Sequence, residues 1–197
     1  NRVRRQRQMC IRDRQKAGFV GIATSPEVCI MDQEGNRLNG DAEGEVCIRG
    51  DNVTPGYENN LAANESSFTS GWFRTGDQGF FDGDGYLKIT GRLKEIINRG
   101  GEKVSPLEVD NVLMEHPAVQ QVVTFAVADR MLGEEIGAAV VLADGGELDA
   151  AGLRAYAETH LARFKIPKHI VFLDEIPKGA TGKLQRIGLA QKLGLED

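Results

Sequence analysis

The sequence GRLKEIINRGGEKVSPLEVD, residues 91–110, marks a change of pattern along the chain. Upstream of it, short apolar runs alternate with turns rich in glycine, asparagine and aspartate, as in a β-rich region. Downstream, apolar residues recur at helical spacing, and Pro106 after a serine is typical of the first turn of a helix. We therefore divide the chain at this stretch into residues 15–92 and residues 93–197.

Residues 15–92 predict a set of antiparallel strands. The segments EVCIMD (27–32) and EVCIRG (45–50) are apolar or alternating, and the turn-rich sequence between them favours a β-meander. Further on, FDGDGY (81–86) predicts a hairpin turn between two strands. A calcium loop is the alternative for the two aspartates of this turn, but a tyrosine occupies the next ligand position and no glutamate closes the loop.

Residues 93–197 predict a small mixed domain that is long enough to build its own core. After a first short strand, the predicted elements are the helix PLEVDNVLMEH, the strands VQQVVTFAVAD and EIGAAVVLAD, the helix LDAAGLRAYAETHLARF, the strand HIVFLDE and the helix KLQRIGLAQKLG. The fold class predicted for the whole chain is therefore α+β, with a β-rich subdomain followed by a smaller α+β domain.

The overall composition restricts the class of protein. The 197 residues are 41% hydrophobic and 27% charged, with a net charge of -5, which is typical of a globular protein and argues against a nucleic-acid partner. No apolar run is long enough to span a membrane. The cysteines (Cys10, Cys29 and Cys47) and the histidines lack metal-site spacing. We therefore predict no metal site, reduced thiols and a cytoplasmic location.

Residues 1–14, NRVRRQRQMCIRDR, differ from the rest of the chain because they hold six arginines and one aspartate. A nucleic-acid-binding arm or an organelle presequence would be the functional interpretations, but serines and an amphipathic pattern are missing. We expect this segment to be a non-native leader, and we exclude it from the fold.

Lys183 lies in the glycine-containing segment IPKGATGKLQR, residues 176–186. A Walker-type phosphate loop would require a glycine at position 177 and Ser or Thr after the lysine, where Pro177 and Leu184 stand instead. From the residues alone, a solvated surface lysine is the simplest interpretation and a catalytic cation is the other.

Two further motifs allow a structural and a functional interpretation. In GWFRTGD, the carboxylate of Asp77 could accept hydrogen bonds from the two vicinal hydroxyls of a ribose, or it could stabilise its own turn. In NRGGEK, the adjacent Gly100 and Gly101 would be costly inside a strand unless they form a bulge or a ligand approaches the backbone closely.

Taken together and in this order, four segments resemble motifs of the adenylate-forming superfamily, which includes acyl-CoA synthetases, firefly-type luciferases and peptide-synthetase adenylation domains. The segments are GEVCIRGDNVTPGYENN, GWFRTGD, GRLKEIINRGGEKVSP and PKGATGKLQR, similar to the glycine–tyrosine, ribose, hinge and terminal lysine motifs of the family. Within the superfamily, NRGGEKVSPLEVD and GYENN are most similar to oxalate–CoA ligases and their acyl-CoA synthetase relatives.

The resemblance implies a role for each candidate residue. Asp77 would hold the ribose hydroxyls of ATP, and Arg92 would approach the nucleotide. Lys94 would be the hinge of a mobile C-terminal lid domain. Gly100 and Gly101 would line the passage for the pantetheine arm of CoA.

The implied activity is that of an AMP-forming acid–CoA ligase, in which Lys183 would bridge the substrate carboxylate and the α-phosphate. Its substrates would be a small carboxylic acid, ATP with Mg²⁺, and CoA. The phosphate loop, the acid pocket and most of the large N-terminal domain have no counterpart here, so we expect a C-terminal fragment that is inactive alone. Residues 15–92 would be the end of the large domain and residues 93–197 the lid.

Two other functions stay open at this point. The chain could belong to an adenylation domain that loads a carrier-protein thiol, or it could be a non-catalytic module that binds nucleotide. The first differs from the leading hypothesis only in the thiol that accepts the acyl group, and we expect that thiol to be free CoA.

Overall fold

The structure, a computed structural model, describes residues 16–179, 182 and 184–195. The chain divides into two compact units, the first ending at Leu93 and the second beginning at Lys94. The predicted non-native leader lies outside the described residues. Among the described residues, none of the helices combines the length and apolar character needed to cross a membrane.

The first unit is built on a seven-stranded antiparallel sheet within residues 16–93. Its strands are β1 (Gly21–Ile22), β2 (Glu27–Met31), β3 (Arg37–Leu38), β4 (Gly44–Arg49), β5 (Phe68–Thr69), β6 (Trp72–Phe81) and β7 (Tyr86–Arg92), with helix α1 (Leu61–Ser67) before β5. The strand order is β1-β7-β6-β4-β2-β3, with β5 on β6. The predicted meander is therefore only partly right, because β4 pairs with β2 and β3 lies on the other edge of β2.

The hairpin predicted at FDGDGY is confirmed as the turn between β6 and β7. The Asp82 carboxylate organises this turn, because its Oδ1 accepts hydrogen bonds from the backbone amides of Asp84 at 3.0 Å and Tyr86 at 2.8 Å. The other oxygen of Asp82 is ion-paired with Lys16. These contacts hold the Asp82 carboxylate as a turn-stabilising group.

Sheet formation brings Cys29 and Cys47 together as register partners of β2 and β4. Both are free thiols, and burial raises their pKa values, that of Cys47 to about 12. Thiols of this kind stay protonated and unreactive near neutral pH. The prediction of reduced cysteines is confirmed for these two, whereas Cys10 lies outside the described residues.

The second unit is a mixed sheet with helices. Its elements are β8 (Ile97–Arg99), β9 (Glu102–Val104), α2 (Pro106–Met114), β10 (Val119–Asp129), β11 (Gly133–Leu142), α3 (Ala150–Glu158), β12 (His169–Phe172) and α4 (Leu189–Lys192). The strand order is β10-β11-β8-β9, and β12 joins β11 in parallel. The predicted α+β class is confirmed.

Alternate residues of β10 and β11 supply two separate cores. Val122 and Ile136 belong to the core that includes residues of α2 and α3. Their neighbours Val123 and Phe125 belong to the other core, which includes Ile176 and residues of α4. Because successive side chains of a strand point to opposite faces, this pattern places apolar contacts on both faces of the central hairpin.

Two predicted helices are shorter in the structure. The helix predicted over residues 148–164 ends at Glu158, where the Thr159 hydroxyl donates a hydrogen bond to the carbonyl of Tyr156 at 2.7 Å. The helix predicted over residues 183–194 is formed, among its described residues, only at α4. It begins after Gly188, which has a φ of 77° and so departs from helical geometry.

Gly137 shows why β11 has a glycine in its centre. It is paired across the sheet with Phe125, and a Cβ atom at Gly137 would lie 2.7 Å from Cε2 of the Phe125 ring. Phe125 is fully buried. The ring therefore occupies the space that a side chain at position 137 would need.

We expect Gly137→Ala to lower the free energy of unfolding by about 1–3 kcal/mol, because the added methyl group overpacks the core against Phe125. The measurement is urea denaturation followed by circular dichroism. Gly83→Ala is the control, since Gly83 has open space around it and its φ is not in the left-handed region. Equal stability of the two variants would contradict the proposed contact.

Candidate functional site

The GWFRTGD motif forms a bulge in β6. The register between β6 and β4 shifts at residues 75–77, which leave the ladder, and Gly76 has a φ of 74°. Such a left-handed conformation favours glycine. On the other edge of β6, Asp77 is paired in register with Arg92 of β7.

The bulge is held by Glu45, a buried carboxylate of β4. Its Oε1 accepts a hydrogen bond from the backbone amide of Gly76 at 3.0 Å, and its Oε2 accepts one from Arg74 Nε at 2.6 Å. The Thr75 hydroxyl accepts the amide of Asp77 at 3.1 Å. These contacts account for the turn without the Asp77 carboxylate, so the turn-stabilising interpretation of that group is not needed, and its ligand-binding role stays a prediction.

The structure brings Asp77 and Arg92 together, and their nucleotide-binding roles stay predictions. Asp77 Oδ1 lies 2.9 Å from Arg92 Nε, and the two side chains are 29% and 64% exposed, respectively. An ion pair at this exposure contributes little to stability. It does fix the direction of a carboxylate that remains accessible to a ligand.

Lys94, the predicted hinge, is exposed and lies in a 3₁₀ turn that spans Leu93–Glu95. The division between the two compact units falls between Leu93 and Lys94. The position is therefore suited to a change of backbone direction, and the hinge role itself stays a prediction.

Gly100 and Gly101 form the two-residue turn of the β8–β9 hairpin, since Arg99 is paired with Glu102. Their φ values are 60° and 94°, so both residues occupy the left-handed region. Neither a bulge nor a ligand is needed to explain the two glycines, because a tight hairpin turn of this length requires positive φ. Their predicted role beside pantetheine stays a proposal.

This turn is fixed to the rest of the second unit by backbone and side-chain contacts. The amide of Gly100 donates to the carbonyl of Leu132 at 2.8 Å. Arg99 forms a two-point ion pair with the buried carboxylate of Glu135, with Nη2 and Oε2 3.0 Å apart. Burial acts to raise the pKa of Glu135, but the hydrogen bond from Arg99 and the amide of Ile136 outweigh it and lower the pKa.

Lys183 lies outside the described residues, but its surroundings in the chain are described. Lys178 and Leu184 form an isolated antiparallel bridge, which closes a loop. Inside the loop, the amide of Gly182 donates to the carbonyl of Gly179 at 2.9 Å. In the sequence, Lys183 directly precedes Leu184, one of the two residues of this bridge.

Sequence reasoning missed several buried or partly buried charged residues, among them Glu45, Asp110 and Arg186. Glu45 lies inside an apolar strand motif, and Asp110 lies beside the apolar face of helix α2. The sequence signal that could have identified both was a charged residue at a position where the pattern predicts a buried side chain. Burial raises the pKa of Asp110, while the ion pair with Arg186 and the amide of Thr124 act in the opposite direction. No local pattern identifies the partners of Arg186.

The described residues hold no cluster of three or more His, Cys, Asp and Glu side chains arranged to bind a metal ion. The candidate groups are instead a carboxylate–guanidinium pair in the first unit and a lysine-bearing loop in the second. Groups of these kinds can bind hydroxyls and phosphates.

Residues 108–183 match the family of the AMP-binding enzyme C-terminal domain. The match begins in α2 and ends at Lys183, so it lies within the second unit. This match, together with the relatives described next, confirms the resemblance to adenylate-forming enzymes that was drawn from the four motifs.

Among individual proteins, the chain is 52% identical over 171 residues to a probable CoA ligase of Humulus lupulus. It is 49% identical over 176 residues to the oxalate–CoA ligase of Arabidopsis thaliana. These alignments cover 87% and 89% of this chain, but 33% and 34% of the relatives. The chain therefore spans about a third of the length of the curated relatives it matches.

A solved structure extends the similarity to three dimensions. The o-succinylbenzoate CoA synthetase of Bacillus subtilis, in complex with ATP and magnesium ion, matches with a TM-score of 0.80 and 36% identity. The match covers 89% of this chain and 36% of that chain. The expected likeness to CoA ligases is thus found in both sequence and fold.

The Arg99–Glu135 pair yields a stability prediction with a pH dependence. Because the folded-state pKa of Glu135 is lowered, its ionised form stabilises the fold above its unfolded pKa, and this contribution is lost as pH falls through the folded pKa. At pH 7, Glu135→Gln should lower the free energy of unfolding by about 2–4 kcal/mol, since it leaves Arg99 without its counter-charge. The difference from the parent should shrink between pH 5 and pH 3, as judged by urea titrations.

Glu175→Gln is the matched control, because Glu175 is also ion-paired with a basic residue but its side chain is 71% exposed. Its effect at pH 7 should be much smaller than that of Glu135→Gln. A loss for Glu135→Gln that is the same at every pH would show that the ionised form of Glu135 is not the stabilising species.

Proposed function

We propose that this chain is the C-terminal part of an ATP-dependent carboxylic acid–CoA ligase. Such an enzyme joins its acid to AMP with release of pyrophosphate and then transfers the acyl group to the sulfur of CoA. The observation that carries the proposal is the accessible Asp77 carboxylate, which the 75–77 bulge and Arg92 hold in one direction. The similarity to CoA ligases over most of the chain supports the same activity.

In this proposal, Asp77 binds the ribose of ATP. An ionised carboxylate has two oxygens that accept hydrogen bonds, which matches the two vicinal hydroxyls of a ribose. Arg92 pairs with one of these oxygens and places a positive charge beside the nucleotide. Glu45 supports the site indirectly, since it binds the backbone of Gly76 and leaves the Asp77 carboxylate available.

Lys183 is proposed to act in the adenylation step. Attack of a carboxylate on the α-phosphate brings two anions together, and a lysine ammonium placed between them offsets the charge that develops. Lysine suits this role because its charge is compact and its stem is long. Delivery of the charge on a loop, with Lys94 as the hinge, would let the lysine withdraw before CoA reacts.

The remaining substrates follow from the same proposal. ATP enters with Mg²⁺, as in the Bacillus subtilis synthetase complex, and both are substrates rather than resident groups. Gly100 and Gly101 would contact the pantetheine arm of CoA, because Gly101 has open space where a side chain would stand. The acid is a small carboxylic acid, and similarity to the Arabidopsis thaliana enzyme favours oxalate.

A chimaera tests this function directly. Residues 16–197 of this chain would replace the matching segment of the Arabidopsis thaliana oxalate–CoA ligase, and oxalate-dependent formation of AMP and of the CoA thioester would be measured. We expect both products. A folded chimaera that binds ATP without turnover would support a nucleotide-binding module instead, and acylation of a carrier-protein thiol in place of CoA would support the carrier-loading alternative.

In the chimaera, Lys183→Ala should slow acid-dependent pyrophosphate release by about 10²–10³-fold, the usual effect of losing one charge that stabilises a transition state. Consumption of a supplied acyl-adenylate by CoA should be unchanged, because the lysine is absent from that step. Lys178→Ala is the control, since Lys178 lies on the same loop but is ion-paired with Glu175 at 2.5 Å. Equal rates for the two variants would make Lys183 a surface lysine.

Lys94→Pro tests the hinge. Proline fixes φ near −65°, so it should favour one of the two lid positions and affect the two half-reactions unequally. Lys94→Ala keeps the backbone free and should alter both rates little. Equal loss of both half-reactions in a folded Lys94→Pro chimaera would argue against a hinge at this residue.

A further inference from the structure

Arg186 connects three segments of the second unit that are far apart in the sequence. Its Nε lies 3.0 Å from Glu95 Oε2, and its Nη1 lies 2.6 Å from Asp110 Oδ2. The same Nη1 donates to the carbonyl of Thr124 at 3.0 Å. One guanidinium therefore joins the turn after Lys94, helix α2 and strand β10.

On the side of α2 and β10, Arg186, Asp110 and Thr124 each contact the other two. Asp110 Oδ1 accepts the amide of Thr124 at 2.7 Å, while its Oδ2 pairs with Arg186. Asp110 is buried, and the Arg186 side chain is 19% exposed. Because a planar guanidinium holds its donors at fixed angles, these contacts determine both the position and the direction of the arginine.

The contact between Arg186 and Glu95 links the lysine loop to the proposed hinge. Glu95 directly follows Lys94, the proposed hinge, and Arg186 follows Lys183 by three residues. Three residues span at most about 11 Å of extended chain. Along the chain, Arg186 is therefore close to Lys183, and its guanidinium is paired with the residue that follows the proposed hinge.

The residues directly before Arg186, which end the lysine loop, also make contacts of their own. Lys178 and Leu184 form the bridge that closes the loop, and Gln185 packs its side chain over Gly179. A Cβ atom at Gly179 would overlap that side chain. Leu184, Gln185 and Arg186 thus form a continuous segment in which each residue contacts another part of the second unit.

We propose that Arg186 is a positioning residue, which fixes the base of the Lys183 loop to the turn after Lys94. With this connection, rotation at the hinge moves the loop as one body with the turn. Without it, the loop base is free to move while the hinge turns. The catalytic consequence rests on the proposed function, whereas the mechanical link is a property of the chain itself.

Hydrogen–deuterium exchange on the full 197-residue chain tests the mechanical link. Arg186→Met should speed exchange in peptides covering residues 176–189 and 93–98 by roughly ten- to hundredfold, the local equivalent of losing hydrogen bonds to a charged group. Arg186→Lys should give an intermediate change, because a point charge can pair with Asp110 but cannot reproduce the fork. Exchange in β11 should change much less.

Arg99→Met is the matched control, since it removes another partly buried arginine that pairs with a buried carboxylate in the same unit. It should lower stability without selective exchange in residues 176–189. The proposal is overturned if Arg186→Met leaves those peptides unchanged, or if it raises exchange equally throughout the unit, as a purely structural ion pair would.

The chimaera supplies the catalytic readout. Arg186→Met should lower kcat for adenylation by about tenfold or more with little change in KM for ATP, because the loop is misplaced while the nucleotide site is intact. Arg186→Lys should recover part of the rate. Unchanged kcat would overturn the positioning role. An inactive parent chimaera would instead defeat the proposed function, and the exchange measurements would still decide the link.

Discussion

The pairing of β10 with β11 is the constraint on which the second unit depends. Both strands place alternate side chains into two separate apolar cores, one with α2 and α3 and the other with Ile176 and α4. A slip of one residue would move the side chains of one strand into the opposite core, where they would not fit the residues packed there, so packing on two faces fixes the register. Strand β11 also pairs with β8 and β12, with Gly133 opposite Arg99 and Gly137 opposite His169.

Each candidate motif is braced by a buried carboxylate that combines a backbone amide with an arginine. The three sets are Glu45 with the amide of Gly76 and Arg74, Asp110 with the amide of Thr124 and Arg186, and Glu135 with the amide of Ile136 and Arg99. In this arrangement the charge is neutralised and the carboxylate oxygens accept hydrogen bonds, which is the condition for burying it without a large penalty. The arginines of these motifs therefore support the backbone that presents the candidate ligand-binding groups.

The candidate functional residues differ in burial from the carboxylates that support the backbone around them. Asp77 and Lys94 are accessible, whereas Glu45 and Asp110 are buried. The proposed ligase chemistry uses the accessible set for nucleotide binding and movement. The buried set has a different task, because it holds a bulge in one unit and joins helix, strand and loop base in the other.

The sequence by itself determined the α+β class, the change of pattern near Lys94, the start of helix α2 at Pro106 and the hairpin turn at 81–86. Each of these depends on residues a few positions apart, through apolar periodicity, proline geometry or turn chemistry. The four motifs also pointed to adenylate-forming enzymes, since their residue types and order stand in the chain itself. Asp77 and Arg92 were named on the same basis.

Only the tertiary structure decided how distant segments meet. It placed Cys29 opposite Cys47, turned the Gly100–Gly101 pair into a hairpin turn, and confined the last predicted helix to α4. It also brought Arg186 to Glu95, 91 residues away, and to the carbonyl of Thr124, 62 residues away. Local propensity acts over a few residues, whereas these contacts depend on strand order and on the burial of charges by the completed sheet.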